Sequence, residues 1–106
     1  MLMLISLIIA TDVDIKPHIE EIAEELGWRV MEDVAVESGF MRVDIGSFLR
    51  YDRVDYNEDT VQLLYQWVKE MEEKGNKAAR ELVETLTDLR YTDHRDKVVE
   101  VLRSVA

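Results

Sequence analysis

Apolar residues in the second half of the chain recur every three or four positions, the spacing that places side chains on one face of an α-helix. Three such stripes follow one another, formed by Leu64, Trp67, Val68 and Met71, by Ala79, Leu82, Val83, Leu86 and Leu89, and by Val98, Val101, Leu102 and Val105. Because each stripe needs an apolar surface to pack on, the pattern predicts three consecutive amphipathic helices that share one core.

Polar residues and glycine mark the expected ends of these helices. Asn57 is the predicted N-cap of the first, which runs to about Lys74 and is then broken by Gly75-Asn76. Thr92 is predicted to start the last helix. The alternation of lysine and glutamate over residues 69–74 is interpreted as a solubilising face.

A fourth stripe lies in the first half of the chain and is formed by Ile15, Ile19, Ile22, Ala23 and Leu26. Asp14 is the predicted N-cap of this helix, Pro17 fits its first turn, and Gly27 ends it. Residues 28–37 and 43–49 are predicted to form two short helices, although their β-branched content leaves strands as an alternative. Residues 50–56 are rich in charge and aromatic rings, which predicts an exposed loop.

The most apolar segment is at the N-terminus, over residues 1–10. It has about half of the roughly 20 residues that a membrane helix needs, so insertion into a membrane is not expected. It also lacks the positive charge that precedes the apolar region of a secretory signal. We expect residues 1–13 to be an apolar extension or the start of the first helix, and residues 14–106 to form one helical domain.

Composition narrows the possible partners. The chain has 106 residues, 47% of them hydrophobic, and carries 23 acidic against 13 basic side chains, a formal charge of -10. A nucleic-acid backbone would be repelled by this charge, so no nucleic-acid partner is expected. The chain has no cysteine, which excludes disulfides, thiolate nucleophiles and cysteine-based zinc sites, and the cytoplasm is the expected location.

The order of several core residues resembles a death domain: Gly27-Trp28, Val34-Ala35, Gly39-Phe40, Ile45, Phe48, Leu63-Leu64, Trp67, Gly75, Leu82, Thr85-Leu86 and residues 95–102. In that family a Trp starts the second helix and a Leu-Leu-x-x-Trp stretch marks the fourth. The resemblance implies an all-α, six-helix antiparallel Greek-key bundle in which both tryptophans bury a large apolar body. Residues 64–102 look similar to the adaptor-type and ankyrin-type members.

The chain departs from the family pattern at three places. About one extra turn separates Trp28 from Val34-Ala35, and Ser38 stands where the family usually has Leu. The connection from Leu89 to Arg95 is expected to be longer than is common. These departures affect the local register of the elements more than the fold.

The resemblance implies a non-enzymatic interaction module that mediates homotypic death-domain assembly in apoptotic or inflammatory signalling. Its implied partners are other death-domain proteins, receptors or adaptors, together with further copies of itself in a homo-oligomer. The candidate protein-binding residues form a cluster of mixed charge near the third helix, namely Arg42, Asp44, Arg50, Asp52, Arg53 and Asp55. A solvated loop is the alternative interpretation of this cluster. A separate acidic face is predicted on the first helix, formed by Glu20, Glu21, Glu24 and Glu25.

Two other functions stay open at this point. The chain could be an unrelated acidic helical or α+β domain that binds a protein partner in another context. An apolar run that ends at Asp12 and Asp14 could also present two carboxylates and Mg²⁺ in a small phosphatase. Such enzymes need further polar residues on a parallel sheet, for which this chain is too short.

The two histidines are far apart in the sequence and match no metal-ligand spacing. His94 is interpreted as part of a solvated helix start. No catalytic residue, metal ligand or cofactor is predicted.

Overall fold

The structure, a computed structural model, describes residues 13–48 and 56–104, and in these ranges every regular element is helical. A 3₁₀ turn at Lys16–His18 precedes five α-helices: α1 (Ile19–Glu37), α2 (Arg42–Gly46), α3 (Tyr56–Glu73), α4 (Ala78–Asp88) and α5 (Thr92–Arg103). The prediction of an all-α fold is confirmed for this part of the chain. The apolar segment at residues 1–12 lies outside the described residues.

Gly27 divides α1. Its φ of 74° and ψ of 167° are not helical, and this combination of angles is strained for residues other than glycine. The helix is therefore kinked between segments 19–26 and 28–37. The sequence correctly placed a helix end at Gly27, but the two predicted helices join directly there.

The start of the first helix differs from the prediction. A side-chain oxygen of Asp14, Oδ1, accepts the backbone N–H of Lys16 at 3.1 Å, and the 3₁₀ turn follows. Asp14 thus organises the entry, while the α-helix itself begins at Ile19. At α3, the helix already includes Tyr56, so Asn57 lies within its first turn and not at the predicted N-cap position.

The core lies mainly between α1 and α3, and α5 packs on both α1 and α4. Trp67, in α3, is completely buried at 0% exposure. Trp28 is only partly buried at the margin of the core. The expectation that both tryptophans bury a large apolar body is therefore confirmed for Trp67, whereas Trp28 packs against the core but stays partly exposed. The kink at Gly27 sets the direction of segment 28–37, which begins with Trp28. The periodicity of the sequence therefore could not predict how deeply the Trp28 ring is buried.

A hydrogen bond joins the end of α1 to the middle of α3. The indole Nε1–H of Trp67 donates to Oγ of Ser38 at 2.9 Å. A buried indole N–H needs an acceptor, because a buried donor without a hydrogen bond destabilises the folded state. Ser38 thus supplies the acceptor for the buried indole of Trp67. It stands at the position where the family usually has Leu.

The connections between the last helices are tight. Gly75, with φ of 79°, ends α3, and the N–H of Asn76 donates to the carbonyl of Met71 at 2.9 Å. Helix α5 begins at Thr92, as predicted, so the connection between α4 and α5 consists of residues 89–91 alone. The expectation of a long connection from Leu89 to Arg95 is wrong. Arg90 adopts φ of 66°, which lets the chain reverse within these few residues.

Candidate protein-binding surface

The surface around α2 combines exposed apolar side chains with charge. Helix α2 has five residues and begins after Met41, whose carbonyl accepts the backbone N–H groups of Asp44 and Ile45 at 3.0 Å each. Ile45, 1% exposed, is the one residue of α2 that is buried, so it alone anchors the helix to the core. The other side chains of α2 are left at the surface.

Two of these surface positions are apolar. Val43 is 74% exposed and the preceding Met41 is 66% exposed, and together with Tyr65 they make up the exposed large hydrophobic residues of the described ranges. Single exposed apolar side chains are common, but these two stand two positions apart in the sequence, and Met41 also lines a groove.

A groove of about 360 Å³ lies beside these residues, between the α2 region and α3. Its apolar lining comes from Phe40, Met41 and Phe48, and its charged lining from Asp44 of α2 and Glu70 of α3. Its described lining residues include no Lys or Arg. Such a volume is at the small end of ligand pockets, so the groove suits a few side chains better than a large cofactor.

The structure places the predicted binding residues only in part. Arg42 and Asp44 are both exposed on α2, as expected, and Asp44 faces the groove. Arg50, Asp52, Arg53 and Asp55 lie outside the described residues. Met41 and Glu70 also line the groove but were not predicted, Glu70 because the alternation of lysine and glutamate around it indicated a solubilising face. Gln66 and Glu70 share a helix face by their spacing, but nothing in the sequence shows that this face meets α2.

A second groove, of about 680 Å³, lies between α1 and α3 and contains Glu20, Glu21 and Glu24. Glu58 of α3 joins them from the facing helix. The predicted acidic face is therefore present, but Glu25 is not part of it. Glu25 lies towards α5, where its carboxylate is 3.8 Å from Nζ of Lys97.

The contact between α5 and α1 corrects the interpretation of His94. This ring is partly buried, and its Nδ1 lies 3.1 Å from the carbonyl oxygen of Glu25. A carbonyl can only accept, so Nδ1 carries the proton. The ring also meets Tyr91 edge to face, with centroids 5.7 Å apart. His94 therefore lies at the start of α5, as predicted, but its ring is only partly solvated and packs α5 on α1.

Tyr91 makes the second link of this contact. Its hydroxyl donates to the carboxylate of Asp33 on α1. The hydrogen bond to Asp33, followed by burial and the negative charge of Asp33, raises the pKa of Tyr91 above its ordinary value. The pair ties the residue just before α5 to α1.

Of the two carboxylates in the phosphatase hypothesis, the described residues include Asp14 alone. Asp14 faces the backbone N–H of Lys16, and Asp12 lies outside the described ranges. Across residues 13–48 and 56–104, no group of three or more His, Asp or Glu side chains is placed to hold a metal ion. In the same ranges, no helix combines the length and the apolar character needed to cross a membrane.

Comparisons with known protein families, with curated proteins and with solved structures found no match.

Proposed function

We propose that this chain is a protein-interaction module that assembles with other death domains through the surface around α2, as part of apoptotic or inflammatory signalling. The observation that carries the proposal is the exposure of Met41 and Val43 on either side of Arg42, next to the groove lined by Asp44. An apolar centre with charged neighbours is the composition that protein interfaces favour.

The number of helices supports the death-domain form of this proposal. Because Gly27 splits α1, the described residues contain six α-helical segments, the number that a six-helix bundle requires. Trp28 begins the second segment, and Trp67 lies at the centre of the fourth, buried against the others. These are the positions that the resemblance assigns to the two tryptophans.

The charge distribution supports asymmetric association. The α1–α3 groove presents Glu20, Glu21 and Glu24, whereas α2 presents Arg42 beside Asp44. With a net charge of -10, two copies repel unless a basic residue of one meets acidic residues of the other. Two different surfaces that meet in this way form a head-to-tail contact, which can continue into a larger assembly.

Light scattering would test the proposal with the protein alone and mixed with a panel of isolated receptor and adaptor death domains. We expect a particle mass above the monomer in at least one mixture. Arg42→Glu and Asp44→Lys should lower this mass, while Arg103→Glu, a charge reversal at the exposed end of α5, should not. Charge reversal at Arg50 and Arg53 is expected to weaken assembly as well.

Circular dichroism of each variant is the control for folding, because the α2 substitutions are exposed and should leave the helical signal unchanged. A monomer in every mixture would reject homotypic assembly. The chain would then be an acidic helical domain with a partner of a different class, which is the second interpretation that the sequence left open.

A further inference from the structure

We propose that the groove between α2 and α3 binds an amphipathic helical segment of a partner protein, with large apolar side chains flanked by lysine or arginine. This inference rests on the proposed function only in that the groove belongs to the same interaction surface. It adds the chemistry of the partner, which the resemblance to death domains leaves open.

The apolar part of the groove accounts for the apolar side chains of the partner. Phe40 and Phe48 are partly buried against the core and form a fixed wall, while Met41 is 66% exposed. Methionine is unbranched and flexible, so it can fold over an inserted side chain and adapt to its shape. Covering Met41 removes apolar surface from water, which is the main favourable contribution to such binding.

The acidic part of the groove accounts for the basic residues. Asp44 lies on the α2 side and Glu70 on the α3 side, and the described lining residues add no positive charge. A segment that carries lysine or arginine beside its apolar anchors places them opposite these carboxylates. The net charge of -10 adds a longer-range attraction for a basic segment and repels an acidic one.

Within the described ranges there is no strand edge to which an extended peptide could add. Of the recognition modes that use an apolar groove, the proposed mode is the one in which a helix lays one face into the groove, with anchors three or four residues apart.

The test uses three fluorescent peptides of about 15 residues, long enough to be partly helical. The first carries leucine at helical spacing with lysine at the polar positions. The second replaces every lysine with glutamate, and the third has the composition of the first in an order without an apolar face. We expect the first to bind at low salt, with affinity that falls as salt rises, and the other two to bind at least about tenfold more weakly.

Methionine methyl groups report where the peptide binds. On addition of the lysine peptide, the methyl signal of Met41 should shift in the NMR spectrum. The methyl signals of the buried Met31 and Met71 should stay nearly constant. A Met41 signal that stays unchanged while the peptide binds would place the peptide outside the groove, and would overturn the proposal.

A pair of matched charge reversals separates this groove from the other acidic one. Glu70→Lys should weaken binding of the lysine peptide by roughly three- to tenfold, because it replaces an attraction with a repulsion. Glu24→Lys makes the same change in the α1–α3 groove and should have a smaller effect. Equal losses, or a larger loss from Glu24→Lys, would contradict the proposal, as would equal binding of the lysine and glutamate peptides.

The two proposals fail separately. A protein that assembles with death domains but does not bind the lysine peptide overturns only the groove inference. A protein that binds the peptide at Met41 but stays monomeric in every mixture overturns only homotypic assembly.

Discussion

The α1–α3 interface and the α2 surface use apolar residues in opposite ways. At the interface Trp67 is fully enclosed, and its one polar atom is bonded to Ser38. On α2, Ile45 alone is buried, while Met41 and Val43 stay in water. The difference indicates that stability resides in the first region, and that the second can be altered without loss of the fold.

The largest expected effect breaks the α1–α3 interface. Trp67→Ala removes the most buried aromatic ring and leaves a cavity, and should destabilise the protein by about 3–5 kcal/mol. Trp28→Ala is the matched control, because Trp28 is only partly buried and should cost clearly less. Urea unfolding followed by circular dichroism measures both. Equal losses would mean that the two rings contribute alike and that the contrast in burial has no energetic consequence.

The next effect concerns the one anchor of α2. Ile45→Ala should lower the free energy of unfolding by an amount near the lower end of about 2–5 kcal/mol. The loss is small for a buried residue because a short surface helix can shift to fill the cavity. Val43→Ala, on the exposed side of the same helix, should change stability by less than about 0.5 kcal/mol. Hydrogen exchange should show faster opening around α2 for Ile45→Ala, with α1 and α3 still protected. Loss of protection throughout the core would show that α2 is part of the main folding unit.

The hydrogen bond between Ser38 and Trp67 gives a finer test of the interface. Ser38→Ala removes the acceptor and leaves a buried indole N–H without its bond, at a cost of about 1–3 kcal/mol. Ser47→Ala is the control, since that hydroxyl is exposed and bonds to the nearby carbonyl of Asp44. Thermal unfolding of the two variants should differ by several degrees. If they unfold together, water replaces the lost acceptor.

Glycine substitutions compare the backbones of the two regions. Gly27→Ala forces a side chain into a strained conformation and should destabilise by about 1–3 kcal/mol, although the added carbon meets no neighbouring atom. Gly46→Ala, at the end of α2, has neither a positive φ nor a close neighbour. It should be neutral or slightly stabilising, because alanine favours a helix more than glycine does. A neutral Gly27→Ala in urea unfolding would show that the kink relaxes without cost.

How far the sequence predicts the structure depends on the range of the interaction. Helix ends at Gly27, Gly75 and Thr92 follow from local rules, since each depends on the conformational preference of one or two residues. The partial exposure of Trp28 and the packing of His94 do not, because they depend on how distant helices meet. The groove shows the same limit more clearly. Asp44 was predicted from the charged cluster in the sequence, whereas Glu70 lines the groove only because α3 packs beside α2.

The smallest expected effect lies in the contact between α5 and α1, and depends on pH. The pKa of Tyr91 is raised in the folded state, so its contribution to stability is fully present below the unfolded value of about 10 and is lost as pH rises through the folded value. Tyr91→Phe removes this dependence. Urea unfolding at about pH 9 and about pH 11 should show a larger loss for the wild type than for Tyr91→Phe, and Tyr65→Phe, at an exposed position, is the control. If Tyr91→Phe and the wild type lose stability equally, the link from Tyr91 to Asp33 adds nothing to the attachment of α5, which then rests on its buried apolar side chains and on the contact through His94.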